Sequence, residues 1–330
     1  MERSPPRVIV KRMLSRLAAI PNLKVSQNIP LASLTRFEIG GPALILADAS
    51  TEASLAQALE VIRESKTPWT LIGGGSNLIV DDAGFPGVVL RYTASKTTIT
   101  GETVKVESGA KLQDLVDLTI AQGLKGLETM TGIPGWVAGA IYGNAGAYGH
   151  SIDERIDRVR FFNGHEFLDI DNEACEFRYR ESVFKRNKKW IIVSATLSLS
   201  PAIPAELQAK ADSILAIRNE KYPPAMRCAG SIFKNLLLKD IPQVQVPPQV
   251  VREGKVPSAY FLEQAGAKGL QLGALRVADY HANLIYNEGS ARSADLLRLI
   301  ADLKSRVHSK FGLMLEEEVQ YIGAAARTAT

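Results

Sequence analysis

Leu71-Ile-Gly-Gly-Gly-Ser-Asn-Leu-Ile-Val80 sets three consecutive glycines between two apolar segments. Apolar runs enter and leave it, so residues 69–72 read as a short strand, 73–76 as a turn and 77–80 as a second strand. Consecutive glycines permit positive φ and let successive backbone N–H groups face one concavity, which suits a pyrophosphate. The Rossmann fingerprint fails here, because Leu78 stands where its third glycine belongs and no helix begins. A Walker A loop fails too, since no Gly-Lys-Ser/Thr occurs. Taken alone, the turn reads most simply as a tight hairpin without a ligand.

A second cluster shifts that balance. Gly132, Gly135, Gly139, Gly143, Gly146 and Gly149 recur every three or four residues, interspersed with Thr131, Tyr142, Asn144 and Tyr148. So many positions without a side chain suggest backbone pressed against a large flat ligand, with close packing of two elements as the plainer alternative. Together the two clusters favour a large-cofactor site. Residues 129–149 carry no formal charge and are about as long as a bilayer span. Pro134, Asn144 and the glycines make a lipid-facing helix unfavourable, so the stretch reads as buried turns and the chain as soluble.

Outward from these turns, 54–66 reads as a helix with Leu55, Ala58, Leu59 and Ile62 on one face. Strands are expected over 88–92, 103–108, 159–163, 191–199, 281–287 and 313–322. Helices are expected over 112–122, 205–219, 259–265 and 293–311, the last closed by Gly312. Residues 238–256, with Pro242, Pro247 and Pro248, read as an irregular insertion. Mixed strands and helices indicate α/β or α+β in two lobes, with a break near 200–204. The expected division is an N-terminal helical segment over 1–30, domains over 31–200 and 201–323, and a tail over 324–330.

At 330 residues, 46% hydrophobic and 22% charged, the chain has the composition of a soluble globular protein. A net charge of +4 with no basic–aromatic run makes nucleic acid a poor partner. Two cysteines without a C-x-x-C, and His150, His165, His281 and His308 without ligand spacing, leave no expected metal site. The basic N-terminus has no apolar core of a signal peptide, and the expected setting is cytoplasmic.

Residues 71–80, Thr131-Gly-Ile-Pro-Gly135 and Gly143-Asn-Ala-Gly-Ala-Tyr-Gly149 resemble the FAD-binding segments of UDP-N-acetylenolpyruvoylglucosamine reductases. The resemblance runs from about residue 31 to residue 323. It implies an α+β fold: a vanillyl-alcohol-oxidase (PCMH)-type FAD-binding domain of two α/β subdomains, plus a C-terminal α/β substrate domain. Carried over, Gly73, Gly74, Gly75, Ser76, Asn77 and Leu78 would line the pyrophosphate. Thr131, Gly132, Ile133, Gly135, Asn144, Ala145 and Gly146 would lie along the rest of the cofactor.

Three further stretches resemble the family's catalytic motifs. Phe177-Arg-Tyr-Arg-Glu-Ser182 puts Arg180 at its catalytic arginine, Ala229-Gly-Ser-Ile-Phe-Lys-Asn235 puts Ser231 at its proton donor, and Leu315-Glu-Glu-Glu-Val319 puts Glu318 at its carboxylate. The implied reaction reduces UDP-N-acetylglucosamine enolpyruvate to UDP-N-acetylmuramate, with hydride passing from NADPH through FAD N5 to the vinyl carbon and a proton following from Ser231. Arg180 can meet the substrate carboxylate with a planar fork that Lys could not imitate. Glu318, if held protonated, can donate to the developing enolate. Tyr179, Lys234 and Asn235 are expected at the substrate, with Lys268 a further candidate for its diphosphate. Most of the cations around Arg180 read as a solvated face, and His281 as structural.

The 50 residues between Arg180 and Ser231 resemble the shorter subtype, which lacks an extra tyrosine-bearing loop. Leu236 departs from the family's usual proline, and the Pro-rich insertion follows it. A monomer is expected. The alternatives are another flavoenzyme of the same fold, or a nucleotide-binding protein without chemistry.

Overall fold

The computed structural model describes residues 7–323. Its first elements depart from the expected helical segment over 1–30. Helix α1 (Arg7–Ala18) is followed by a strand, Leu23–Pro30, because that strand pairs antiparallel with Pro42–Ala49 from Leu23↔Ala49 to Pro30↔Pro42. Helix α2 (Glu52–Ser65) starts at a reciprocal cap: the Ser54 amide donates to Thr51 Oγ1 at 3.1 Å, and the Thr51 amide to Ser54 Oγ at 3.2 Å. Such a cap satisfies two amides that a helix start otherwise leaves open. Its Leu55, Ala58, Leu59 and Ile62 are buried, as their spacing predicts, and pack with Met13 and Leu17 of α1. The sheet beneath runs Leu23–Pro30, Pro42–Ala49, Phe85–Tyr92, Trp69–Leu71, with its last two pairings parallel.

A second sheet of five antiparallel strands follows. Its order is Phe167–Asp171, Ile156–Phe162, Ile191–Ser198, Thr103–Glu107, Thr97–Thr100. Helix α3 (Leu112–Ala121) covers it. The glycine-rich stretch 132–149 is not all turns, since it contains helix α4 (Val137–Tyr142). Val137, Ala140 and Ile141 sit at helical spacing and are buried in this core. Their burial outweighs a helix-interior glycine, which costs about 1 kcal/mol relative to alanine. One short helical turn, α5 (Val183–Arg186), follows, and the long α6 (Pro204–Lys221), beyond the expected break at 200–204, packs Leu207 and Ala211 into the same core.

The third unit is a four-stranded antiparallel sheet ordered Cys228–Ser231, His281–Asn287, Leu275–Ala278, Gln271–Leu272, packed with α7 (Ser258–Gln264) and α8 (Ser293–Phe311). Gly312, at φ 68°, closes α8 as expected. Residues 313–322 do not form one continuous strand. The chain crosses between lobes there: 316–318 hydrogen-bond to 232–234, and only Gln320–Ile322 is a strand, parallel to Leu78–Val80 of the N-terminal half. Residues 238–256 are irregular as expected, bounded by a small hairpin of Leu236–Leu237 with Lys255–Val256. Among the described residues no helix is long and apolar enough to cross a membrane.

Candidate active site

The two glycine clusters meet. The turn 73–76 lies back to back with 134–136: a Cβ on Gly74 would come 3.0 Å from the Gly135 Cα, and one on Gly135 would come 2.6 Å from Ser76 Oγ. Ser76 Oγ donates to the Pro134 carbonyl at 3.0 Å, which locks the pair. On its far side Gly75, at φ 68°, packs so closely that a Cβ would lie 1.8 Å from the Leu34 carbonyl oxygen. Elsewhere the backbone is bare. A Cβ on Gly139 would meet nothing within 4 Å, and one on Gly73 would only graze Trp136 at 4.0 Å. Gly132, at φ 75°, borders Arg218, whose buried Nε has no hydrogen-bond partner among the described residues, and the nearby Thr129 Oγ1 has none among them either. Bare backbone beside unmatched buried donors fits a large anionic cofactor, because such groups are costly to leave unpaired.

Asn144, at φ 42°, is buried and clasps two loops: its Nδ2 donates to the Arg178 carbonyl at 3.1 Å, and its Oδ1 accepts from the Asp153 amide at 3.3 Å. Arg178 and Glu181 exchange both backbone hydrogen bonds at 3.1 Å, leaving Tyr179 and Arg180 as a two-residue turn. Arg180 has φ 57°, a left-handed conformation that a non-glycine residue adopts at a cost of about 1–2 kcal/mol. Strain of that kind concentrates at functional sites. It aims the guanidinium at Glu318: Arg180 Nε donates to Glu318 Oε1 at 2.6 Å, while its other nitrogens donate to the carbonyls of Asn144 (3.3 Å) and Gly146 (3.1 Å).

Glu318 arrives from the other lobe. Its amide donates to the Ile232 carbonyl at 2.8 Å, and its carbonyl accepts from Asn77 Nδ2 at 3.0 Å. Asn77, directly after the first glycine turn, thus fixes the segment that carries the carboxylate. Ser231 lies on the neighbouring strand, where Gly230 at φ 77° and a register shift between Cys228 and Ser231 make a bulge. A bulge re-aims the side chain that follows it. Buried Asn283 braces the next residues, accepting from the Phe233 amide at 2.9 Å and donating to the Phe233 carbonyl at 2.8 Å.

Lys234, nearly buried, bridges Glu181 at 3.1 Å and Glu316, tying the arginine turn to the serine strand. Burial draws its ammonium down, but the hydrogen bonds and charges of Glu316 and Glu181 outweigh that, and its pKa is raised. Lys185 has no such balance. Burial first, then repulsion from Lys234, lower its pKa, although it bonds Glu181 at 3.2 Å and donates to the Arg180 carbonyl at 2.8 Å. Tyr179 is stacked between Arg180 (5.3 Å) and Lys255 (4.8 Å), and its hydroxyl accepts from the Asn235 amide at 3.3 Å.

Residues 222–322 match the family model described as UDP-N-acetylenolpyruvoylglucosamine reductase, C-terminal domain, and 43–165 match an FAD binding domain. The chain is 54% identical over 311 residues, 93% of its length and all of the relative's, to the UDP-N-acetylenolpyruvoylglucosamine reductase of Solibacter usitatus (strain Ellin6076). The chain belongs to the UDP-N-acetylenolpyruvoylglucosamine reductase family. The Bacillus subtilis (strain 168) reductase is 33% identical, with 91% of this chain and 94% of that one covered. A crystal structure of the Thermus caldophilus reductase superposes with a TM-score of 0.73 at 27% identity, covering 91% of this chain and 100% of that one. The PCMH-type FAD-binding domain and C-terminal domain expected from the resemblance are therefore both present.

Within this reductase fold, Arg180 and Glu318 are in direct contact, and Ser231 and Glu318 stand on hydrogen-bonded segments. Tyr179, Lys234 and Asn235 gather beside them. Lys268 is instead paired with Glu263 at the end of α7. Sequence reasoning missed Lys185, whose side chain is only 14% exposed although it sits in a run read as solvated. It also missed Arg218 and Tyr222. Their four-residue spacing at the end of α6 places them on one face, but that helix's apolar stripe is weak and drew no attention to its end.

Proposed function

We propose that this chain reduces UDP-N-acetylglucosamine enolpyruvate to UDP-N-acetylmuramate, with NADPH as reductant and FAD as the bound carrier, in peptidoglycan precursor synthesis. The contact between Arg180 of the flavin half and Glu318 of the C-terminal half carries the reading. It joins the residues assigned to the substrate carboxylate and to the enolate, and it sits on the glycine cradle that fits the cofactor. Residues 31–200 would form the flavin domain and 201–323 the substrate domain. Gly73, Gly74, Gly75, Ser76, Asn77 and Leu78 would hold the pyrophosphate; Thr131, Gly132, Ile133, Gly135, Asn144, Ala145 and Gly146 would hold the remainder.

Bound FAD supplies the hydride that reaches the vinyl carbon. The chain's own residues manage the charge this creates. Arg180 orients the substrate carboxylate and faces the negative charge that grows on it, an interaction stronger in the transition state than before it. Glu318, in its protonated form, donates a hydrogen bond to the enolate oxygen once its arginine turns to the substrate. Ser231 gives its proton to the α-carbon. Tyr179, Lys234 and Asn235 line the substrate side. The protein works as a monomer in the cytoplasm, and its product serves cell-wall growth, cell shape and division.

Replacing Ser231 tests this directly. Ser231→Ala should still let NADPH bleach the flavin at the native rate, while reoxidation by substrate falls by at least about 100-fold, the scale of a lost general acid. Reoxidation within a few-fold of the native rate would remove Ser231 from its role.

A further inference from the structure

Ser231 Oγ has one hydrogen-bond partner among the described residues, and it is another hydroxyl: Tyr222 Oη at 3.1 Å. Tyr222 sits at the end of α6, and its place there is fixed twice. Its amide donates to the Arg218 carbonyl at 2.7 Å, and the preceding Lys221 carbonyl accepts from the Tyr280 hydroxyl at 2.9 Å. Two cations lie over its ring, Lys221 Nζ at 5.0 Å and Arg218 Cζ at 5.7 Å from the centroid. Arg218 is the residue whose buried Nε lacks a partner. A phenol is a stronger acid than an aliphatic alcohol.

The geometry points to Tyr222 as the positioning and proton-resupplying residue behind Ser231, a two-hydroxyl relay from the end of α6 to the α-carbon of the substrate. This rests on Ser231 being the proton donor. As the new C–H bond forms at the α-carbon, the Ser231 O–H bond breaks and leaves an alkoxide. The Tyr222 O–H proton passes to that alkoxide and re-forms the serine. The resulting phenolate, held between Arg218 and Lys221, takes a proton from water, which reaches the half-buried ring. No electrons change hands, and no group beyond water is needed. Before the transfer, the same hydrogen bond keeps the serine hydroxyl in one rotamer, which a hydroxyl on a small side chain does not do unaided.

Tyr222→Phe keeps the ring and removes the relay. Flavin bleaching by NADPH, which does not use Ser231, should proceed at the native rate and so report that the fold and the flavin site are intact. Reoxidation of the bleached flavin by UDP-N-acetylglucosamine enolpyruvate should slow about 10–100-fold, at the lower end of what a positioned proton donor supplies. KM for that substrate should stay within about two-fold, since removing an interaction made only in the transition state lowers kcat and leaves binding alone. In the Ser231→Ala background, Tyr222→Phe should have no further effect, because the two act as a unit. Equal slowing in both backgrounds, or a rise in KM with kcat unchanged, would overturn the relay and leave Tyr222 as packing. If Ser231→Ala alone does not slow reoxidation, the donor assignment fails instead, and the two failures are told apart by that single variant.

Discussion

Gly75→Ala should cost this protein more than its backbone conformation alone explains. Gly75 has φ 68°, and alanine in that region is disfavoured by about 1–2 kcal/mol. The added Cβ would also lie 1.8 Å from the Leu34 carbonyl oxygen, where backbone on both sides leaves no flexible side chain to yield. The turn must therefore move by about 1 Å, which breaks the Arg36 amide to Gly75 carbonyl hydrogen bond of 3.1 Å at a further cost of about 0.5–1.5 kcal/mol. The sum is about 1.5–3.5 kcal/mol, divided between lower unfolding stability and weaker FAD binding. If all of it fell on the cofactor, affinity would drop about 10–300-fold at 1.4 kcal/mol per decade. Urea unfolding of the apoprotein and flavin titration measure the two shares. Gly101→Ala is the matched control: Gly101 has φ 58° but nothing within 4 Å of a Cβ, so it carries the conformational cost alone. A combined penalty for Gly75→Ala no larger than for Gly101→Ala would show that the approach to Leu34 costs nothing.

Two other outcomes follow from single residues. Burial, then Lys221 and Lys268, lower the His281 pKa from 6.5 to about 3. The folded state disfavours the charged ring, so stability is full above the unfolded pKa and is lost as pH falls from about 6.5 toward 3; the loss at the lower end is about 3–5 kcal/mol. His281→Gln should flatten that part of the stability–pH curve, and an unchanged difference from pH 7 to 4 would contradict it. Arg180→Lys should lower kcat/KM at least about 100-fold, because an ammonium cannot present a fork to a carboxylate. A loss under three-fold in steady-state assays would show that charge alone suffices.

Periodicity made the long elements legible. The buried face of α2 could be read from its apolar spacing because core burial decides it. Helix α4 was hidden, since three buried residues among glycines outweigh a composition that reads as turns. The final strand was overread, because a run of alternating residues does not reveal that its partner changes midway from 232–234 to Leu78–Val80. At the site, the glycine turns announced a ligand but not which one. Arg180, Ser231 and Glu318 were found through family resemblance rather than spacing. Their conjunction depends on Asn77 holding the Glu318 carbonyl across 241 positions of sequence, which no local pattern encodes. Tyr222 stayed invisible for the same reason: its partner Ser231 lies beyond a turn and a bulge.

In the proposed reaction one flavin, held on these glycine turns, accepts hydride from NADPH and passes reducing equivalents to an enolpyruvyl ether. Anaerobic mixing of the purified protein with one equivalent of NADPH, followed by UDP-N-acetylglucosamine enolpyruvate, tests it with the visible flavin band as readout. The band should bleach on the first addition and return on the second, with UDP-N-acetylmuramate formed in equal amount. A protein that purifies without flavin, or a bleached flavin that the enolpyruvyl ether does not restore, would contradict it.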